Sequence, residues 1–372
     1  MQKAVMAWIL AALPLTVAAE VTLYGQIKSS VSVNQVKIKG DSGTEKSSTS
    51  TRINDNTSRL GFKGSERLSG DVKAIWQVEQ RISVLGDKSG WATRDSFIGL
   101  EGKFGKIRAG HLNNLLNEMD TIDTWMGNPS ATYLSIFTRT GTRTTSVRYD
   151  SPAFKGWKLN LQYAPRDNQN ATDKYAYEVA GRDQYNVGLI YDNGKDFFVK
   201  TAYNLRKNRV GYQDGHIVRV ETAYLPDKFF LGAGVQYAKA NESGNTYLSH
   251  FLDGFGSYNG NSLTVDSGKT KAVKVVDAAV TAGYNFGHLR PRISYAHGWP
   301  AKGVGSDKTL VDKFDQIVVG GDYRFSKRTA LRGQLAYMRV GGDTQLYTDG
   351  SGQLHKGKVE QTAATLGLHH RF

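Results

Sequence analysis

Leu60-Gly61-Phe62-Lys63, the turn Ser69-Gly70-Asp71 and the run Val72-Lys73-Ala74-Ile75-Trp76-Gln77-Val78-Glu79-Gln80-Arg81 decide how this chain is read. Successive side chains of a strand point to opposite faces. Leu60 and Phe62 thus share one face and Arg59 and Lys63 the other. Beyond the turn, Val72, Ala74, Trp76 and Val78 stand against Lys73, Gln77, Glu79 and Arg81. This is a hairpin with one apolar and one charged face. A soluble sandwich shows the same local alternation, so one hairpin leaves the architecture open.

The pattern recurs outward in both directions. Val21, Leu23, Ile27, Val31 and Val33 alternate with Thr22, Tyr24, Gln26, Lys28, Ser30 and Ser32. Trp157, Leu159, Leu161 and Tyr163 alternate with Lys158, Asn160 and Gln162. Leu331, Gly333, Leu335 and Tyr337 alternate with Arg332, Gln334 and Ala336, and a last strand runs from Val359 to Phe372.

The connections choose between architectures. Tight joints fall at Ser69-Gly70-Asp71, Gly105-Lys106, Lys155-Gly156, Gly194-Lys195, Asp227-Lys228, Gly287-His288 and Lys327-Arg328. Between them lie longer stretches rich in Gly, Ser, Asn and Asp, at 40–56, 85–93, 113–143, 166–182, 206–215, 241–270, 301–314 and 341–358. Short and long connections alternate strictly, so they join sixteen strands with all long loops at one end. A membrane-spanning strand takes ~9–11 residues, and short periplasmic turns with long extracellular loops are the outer-membrane barrel pattern. The expectation is all-β: a 16-stranded antiparallel transmembrane β-barrel over residues 20–372, apolar face to lipid and polar face to a watery lumen. Aromatics beside the short turns, Phe104, Phe154, Trp157, Phe197, Phe229, Phe230, Phe286, Phe325 and Phe372, read as an interfacial girdle.

Composition agrees. Of 372 residues, 39% are hydrophobic and 11% aromatic, and none is cysteine. No apolar run after residue 20 is long enough for a membrane helix. Without cysteine there is no disulfide, thiol nucleophile or Cys-zinc site. The net charge of +14 is spread along the chain without a Lys/Arg run, so nucleic acid is not an expected partner. No metal or cofactor is expected: His369 and His370 point to opposite faces of a strand, and the other histidines are scattered.

Residues 1–19 read as a signal peptide. Lys3 precedes an apolar stretch from Ala4 to Val17, and small residues at Ala18 and Ala19 suit cleavage after Ala19.

Five segments resemble the Gram-negative general porins of neisserial type: Val21-Thr22-Leu23-Tyr24-Gly25, Ser58-Arg59-Leu60-Gly61-Phe62-Lys63-Gly64-Ser65-Glu66, Arg94-Asp95-Ser96-Phe97-Ile98-Gly99-Leu100, Phe104-Gly105-Lys106-Ile107-Arg108-Ala109-Gly110, and Ser146-Val147-Arg148-Tyr149-Asp150-Ser151-Pro152-Ala153-Phe154. The chain also ends on Phe372, as those porins do. The resemblance spans the mature chain. It implies a homotrimer in the outer membrane, a third loop folded into each barrel, and Phe372 as the signal read by the barrel assembly machinery. It also implies a basic wall facing an acidic or polar third loop, and the matching wall positions are Arg59, Arg94 and Arg148.

The third loop fits on physical grounds. At about 31 residues it exceeds the ordinary loop length of ~12–15. It carries the apolar anchors Leu115, Leu116, Met119, Ile122, Trp125, Met126, Leu134, Ile136 and Phe137, together with Glu118, Asp120 and Asp123. The nearly as long stretch 241–270 has sparser anchors and reads as exposed or disordered. Parity places Lys28, Arg59, Lys63, Lys73, Arg81, Arg108, Arg148 and Lys158 in the lumen. The expected constriction pairs Lys28, Arg59, Lys63, Arg94, Arg108 and Arg148 with Glu118, Asp120 and Asp123. Arg94 is awkward, because it shares parity with lipid-facing Ile98 and Leu100.

The expected function is passive diffusion of small hydrophilic solutes and ions, with anions preferred because fixed positive charge outweighs negative. The partners are then small ions and solutes, outer-membrane lipids and two further copies of the chain. A barrel hydrolase needs a nucleophile–base pair, and the sequence names none. A barrel adhesin or structural anchor predicts large folded extracellular insertions and a closed lumen, whereas these loops are modest.

Overall fold

In the computed structural model Val21, Leu23, Ile27, Val31 and Val33 all remain between 41% and 58% exposed. The alternate residues of the same strand, among them Gln26, Ser30, Ser32 and Asn34, are buried. An apolar exterior around a polar interior inverts the soluble arrangement and is what hydrocarbon demands. The structure describes residues 20–40, 43–46, 49–86, 91–119, 121–166, 183–251, 264–265, 270–348 and 354–372. Residues 1–19, expected to be a signal peptide, Asp120, the connection 166–182 apart from Arg166, and much of 241–270 lie outside the described residues.

Sixteen antiparallel strands close a barrel: β1 (Glu20–Gly40), β2 (Arg59–Ser69), β3 (Val72–Arg81), β4 (Ser96–Gly102), β5 (Gly105–Asn113), β6 (Arg143–Asp150), β7 (Trp157–Ala164), β8 (Gln184–Asp192), β9 (Phe197–Arg206), β10 (Gly215–Tyr224), β11 (Phe229–Ser243), β12 (Ala272–Tyr284), β13 (Leu289–Gly298), β14 (Phe314–Arg324), β15 (Thr329–Thr348) and β16 (Leu354–Arg371). Each pairs with its neighbour in sequence. Closure comes from β1 against β16, in register from Gln26 opposite Arg371 to Gly40 opposite Gly357. Every strand thereby has two partners, so no edge meets lipid.

The hairpin that opened the sequence reading pairs Arg59 with Arg81, Phe62 with Val78 and Lys63 with Gln77, as its alternation requires. Three readings are corrected. The stretches 40–56 and 341–358 are largely strand: β15 runs on to Thr348, and Gly43–Lys46 and Ser50–Asp55 pair with the upper part of β1. Ser50–Asp55 carries a single large apolar residue, Ile53 opposite Val31, so its alternation is too weak to mark a strand and its composition resembles a loop. Phe230 faces inward between lipid-facing Phe229 and Leu231, and so leaves the girdle. The turn placed at Gly105-Lys106 lies two residues earlier, because Gly102 already pairs with Gly105.

Candidate functional site: a lumen divided by the third loop

The third loop begins and ends at a bolt. The Asn114 carboxamide oxygen accepts from the Asn117 N–H (3.0 Å), starting the short helix Leu115–Glu118, and from the Thr142 N–H (3.1 Å). Its amide nitrogen donates to the Thr142 hydroxyl (2.9 Å). One side chain thus ties both ends of the loop, and everything between them swings inward as a unit.

All nine apolar anchors are buried, none more than 7% exposed. They pack inside the barrel, where consecutive strands grip the loop. On β12 the Thr281 hydroxyl donates to the Ile122 carbonyl (2.7 Å). On β13 the Ser294 hydroxyl accepts from the Trp125 indole (2.7 Å). On β14 Gln316 donates to the carbonyls of Ala131 (2.8 Å) and Tyr133 (2.7 Å). On β15 Gln334 both accepts from and donates to Met126 (3.1 and 2.5 Å). The wall supplies a polar rung at each step because the lumen face is polar, and each rung satisfies a loop group that has left water. Glycine clears the closest approaches: a Cβ on Gly232 would sit 2.6 Å from Ile122, and one on Gly234 2.7 Å from Phe137.

A buried arginine pair completes the hold. Arg219 of β10, fully buried, donates to the carbonyls of Leu116 and Phe137 (both 3.0 Å) and to the Thr140 hydroxyl (2.9 Å). Arg139 of the loop donates to Glu242 (2.8 Å) and Asp277 (2.5 Å) on the wall. Burial lowers the Arg139 pKa, but those two carboxylates more than offset it and hold the guanidinium above the ordinary arginine range.

The loop is held along the wall from β6 to β16, by Arg148 on Glu118 at one end and Thr365 on the Asn128 carbonyl at the other, and the wall of β2 and β3 stays wet. There Glu79 of β3 gathers Arg94 (2.5 Å) and Arg59 (3.5 Å), with the Tyr24 hydroxyl donating to the same carboxylate (3.1 Å). Arg94 precedes β4 and also donates its backbone N–H to the Glu79 carbonyl (3.1 Å). Strand parity does not govern a residue outside the strand, which removes the difficulty at this position. Arg81 meets Asp55 (3.7 Å). Arg59 and Arg81 keep 33% and 46% of their side-chain surface exposed, where Arg219 keeps none. Lys28 lies in the field of Arg59, Arg94 and Arg332, with Asp55 as the acid nearest in effect. Lys63 stands apart, its ammonium over the Tyr24 ring at 5.4 Å.

A second group forms on β5 and β6, where Arg108 and Arg148 are directly paired. Asp150 binds both, Arg108 at 2.5 Å and Arg148 at 2.9 Å. Arg148 also grips Glu118 of the third loop with two hydrogen bonds of 2.7 and 2.8 Å. Of the loop acids, Glu118 therefore meets the wall directly. Asp123 instead lines a cavity of about 740 Å³ beneath the loop, together with Trp125, Arg292, Arg332 and Arg371. There Asp322 pairs with Arg292 (2.8 Å) and Arg332 (3.3 Å).

This C-terminal basic group was absent from the sequence-based constriction. Parity puts Arg292, Arg332 and Arg371 in the lumen by the same rule as Arg59, and closure sets the last strands beside the first, but the five family segments that marked the constriction all lie before residue 155. The inward fold of residues 244–251 was also missed. Its helix Gly244–Ser249 buries Tyr247 and Leu248, and Phe251 follows them into the core. Three anchors over a single turn are too few to stand out in a stretch of nearly thirty residues.

The chain was compared with known proteins. The sequence pattern of the family described as Gram-negative porin matches residues 28–372. The major outer membrane protein P.IB of Neisseria sicca is 39% identical over 389 residues, covering all of both chains. Among solved structures, an anion-selective porin from Comamonas acidovorans superposes with a TM-score of 0.66 at 22% identity, covering 95% of this chain and 100% of the other. OmpT of Vibrio cholerae, in its trimer form, gives a TM-score of 0.59 at 14% identity, covering 96% and 100%. With sixteen strands closed around a wet lumen and a family match across nearly its whole length, this chain belongs to the Gram-negative porins, β-barrel channel proteins of the outer membrane.

Proposed function

We propose that the channel is a general diffusion pore for small hydrophilic solutes and ions, that it prefers anions, and that it works as a homotrimer without catalytic activity. The observation that carries the anion preference is the wet wall opposite the third loop. Arg59, Arg81, Arg94 and Lys28 stand there beside Glu79 and Asp55, and Arg292, Arg332 and Arg371 continue the arc across β13–β16 beside Asp322. Fixed positive charge along a narrow aqueous path raises the local concentration of anions and lowers that of cations. The anion-selective porin of similar fold supports the same sign, and OmpT in its trimer form supports the assembly. Lys28, Arg59, Arg94, Arg108 and Arg148 with Glu118 and Asp123 form the constriction in this reading; Lys63 and Asp120 are its remaining members. Residues 1–19 are the leader removed on export, and Phe372 is the signal for assembly into the barrel.

The test is a planar-bilayer recording of refolded protein in a dilute salt gradient. The expected reversal potential has the anion sign, and the protein migrates as a heat-modifiable β-rich trimer. A cation-selective channel would overturn the preference. A closed barrel without conductance would favour an adhesin or structural anchor.

A further inference from the structure

The third loop's last limb, Ile136 to Thr140, is held from two sides. The wall holds it through Arg219 and Gln236. The other support comes from a different loop. Ser243, at the end of β11, caps the helix Gly244–Ser249 by accepting from the Thr246 N–H (3.2 Å), and this turns the sixth loop into the barrel. Its inward face carries Tyr247, Leu248 and Phe251, all fully buried. The Tyr247 ring lies 4.8 Å from the Arg139 guanidinium, and its hydroxyl donates to Asp277 (3.3 Å), the carboxylate that Arg139 also binds. Phe251 packs edge-on to Tyr247 at 5.3 Å and against Phe314 of β14 at 5.2 Å. His250 meets the second oxygen of Glu242 at 2.9 Å, while Arg139 holds the first.

These contacts converge on one loop-three residue. Arg139 keeps 2% of its side-chain surface, and its partners Asp277 and Glu242 keep 0% and 7%. A charge group this dry holds its geometry only while water is excluded, and a cation over an aromatic face gains most when desolvated. Arg139 lies on the third loop and both its carboxylates lie on the wall. The sixth loop supplies the cover over them: the ring, the hydroxyl and the Phe251 wedge.

We propose that Tyr247 and Phe251 are positioning residues for the pore: the sixth loop is a brace that sets where the third loop's last limb stands, and so sets the open cross-section. This rests on the reading of the chain as an open channel narrowed by that loop. Without the brace, water reaches the Arg139 group and the limb samples a displaced position. The other attachments, from Thr281, Ser294, Gln316 and Gln334, remain. The consequence is therefore a flickering pore with subconductance levels rather than a loop released into the lumen.

The experiment is single-channel recording of the full-length protein refolded as trimer, comparing wild type, Tyr247→Leu, Tyr247→Phe and Phe251→Leu. Wild-type conductance separately tests the channel reading. Tyr247→Leu is expected to raise the time spent in altered conductance levels roughly tenfold, the population shift that follows loss of a desolvated cation–π contact. Tyr247→Phe keeps the ring and is expected to restore most of the quiet open state. A purely structural residue would lower the temperature at which the trimer dissociates and leave the open-channel current unchanged. Should Tyr247→Leu fail to assemble, Phe251→Leu, which removes the wedge and keeps an apolar side chain, decides in its place. Steady wild-type current levels from either variant, in a folded trimer, would overturn the brace.

Discussion

Arg148 holds Glu118 with two parallel hydrogen bonds, 2.7 and 2.8 Å, so the barrel wall and the first turn of the third loop share one charge pair. A planar fork matched to a carboxylate fixes direction as well as distance. The arginine keeps 4% of its side-chain surface and the glutamate 34%, so the acid is the partner that meets the lumen water. Glu118→Gln should strengthen the anion preference, because Arg108 and Arg148 would then share Asp150 alone. Arg148→Ser should move selectivity toward cations. Reversal potentials measured for both variants in one salt gradient check this. Shifts in the same direction would show that the pair does not face the ion path.

The wet arc should set the sign of selectivity collectively. Two unit charges 4 Å apart interact by roughly 1 kcal/mol in water and about 4 near a protein surface, so each wall arginine changes ion partition measurably. Arg59→Ser with Arg332→Ser is expected to reduce anion preference more than either alone, since the two lie on neighbouring parts of the wall. The difference should fade in molar salt, where the Debye length is ~3 Å. Wild-type selectivity in the double variant at low salt would place the filter elsewhere.

Phe372 closes the ring. Its N–H donates to the Gly25 carbonyl and its carbonyl accepts from the Gly25 N–H, both at 3.2 Å. Its ring lies over Gly25, where a Cβ would come within 2.5 Å of it and within 2.6 Å of the Arg59 carbonyl. Deleting Phe372 should sharply lower the yield of folded trimer. Gly25→Val should also destabilise, by about 1–3 kcal/mol, through overpacking against ring and backbone. Heat-modifiable mobility on a gel reads both. Undiminished trimer from the truncated chain would refute a role for this residue.

Arg219 should be the costliest single removal in the lumen. Arg219→Met strips three hydrogen bonds from the third loop and leaves Glu221, fully buried, without the guanidinium 3.5 Å away. Breaking one half of a buried pair costs about 3–5 kcal/mol. Urea unfolding of the refolded trimer should show the loss, and unit conductance should change as the loop shifts. An unchanged midpoint would mean that the wall rungs from Thr281 to Gln334 hold the loop alone.

Excising residues 128–138 should raise conductance and the solute size cutoff, provided the trimer assembles. This segment carries the Gln316 attachments and the buried residues Leu134, Ile136 and Phe137. An unaltered cutoff would place the constriction outside the loop.

Strand alternation and the rhythm of connections were legible because each is local. Lipid outside and water inside impose a two-residue period on Val21 to Val33 and on Val72 to Val78, and seven tight turns punctuate it. The inward third loop was legible for a related reason, since nine apolar anchors in a long connection have to be buried somewhere. The same test passed over the sixth loop, where Tyr247, Leu248 and Phe251 carry the burial alone. It also mistook ribbon for loop at 50–55, where Ile53 is the single large apolar residue.

By itself, then, the sequence determined the barrel, its strand number and the alternation of faces along the strands, while the inward third loop came from the family resemblance together with its apolar anchors. The first three follow from the nearest neighbours along the chain and from the solvent on each side. Only the tertiary structure decided which charges meet. Arg148 finds Glu118 thirty positions away, and Arg139 finds Asp277 a further 138 positions along the chain. Arg332 joins Lys28 because the last strands close against the first. Parity assigns a residue to the lumen, but closure and the path of the loop assign its partner, and selectivity depends on the charge that remains after partners are made.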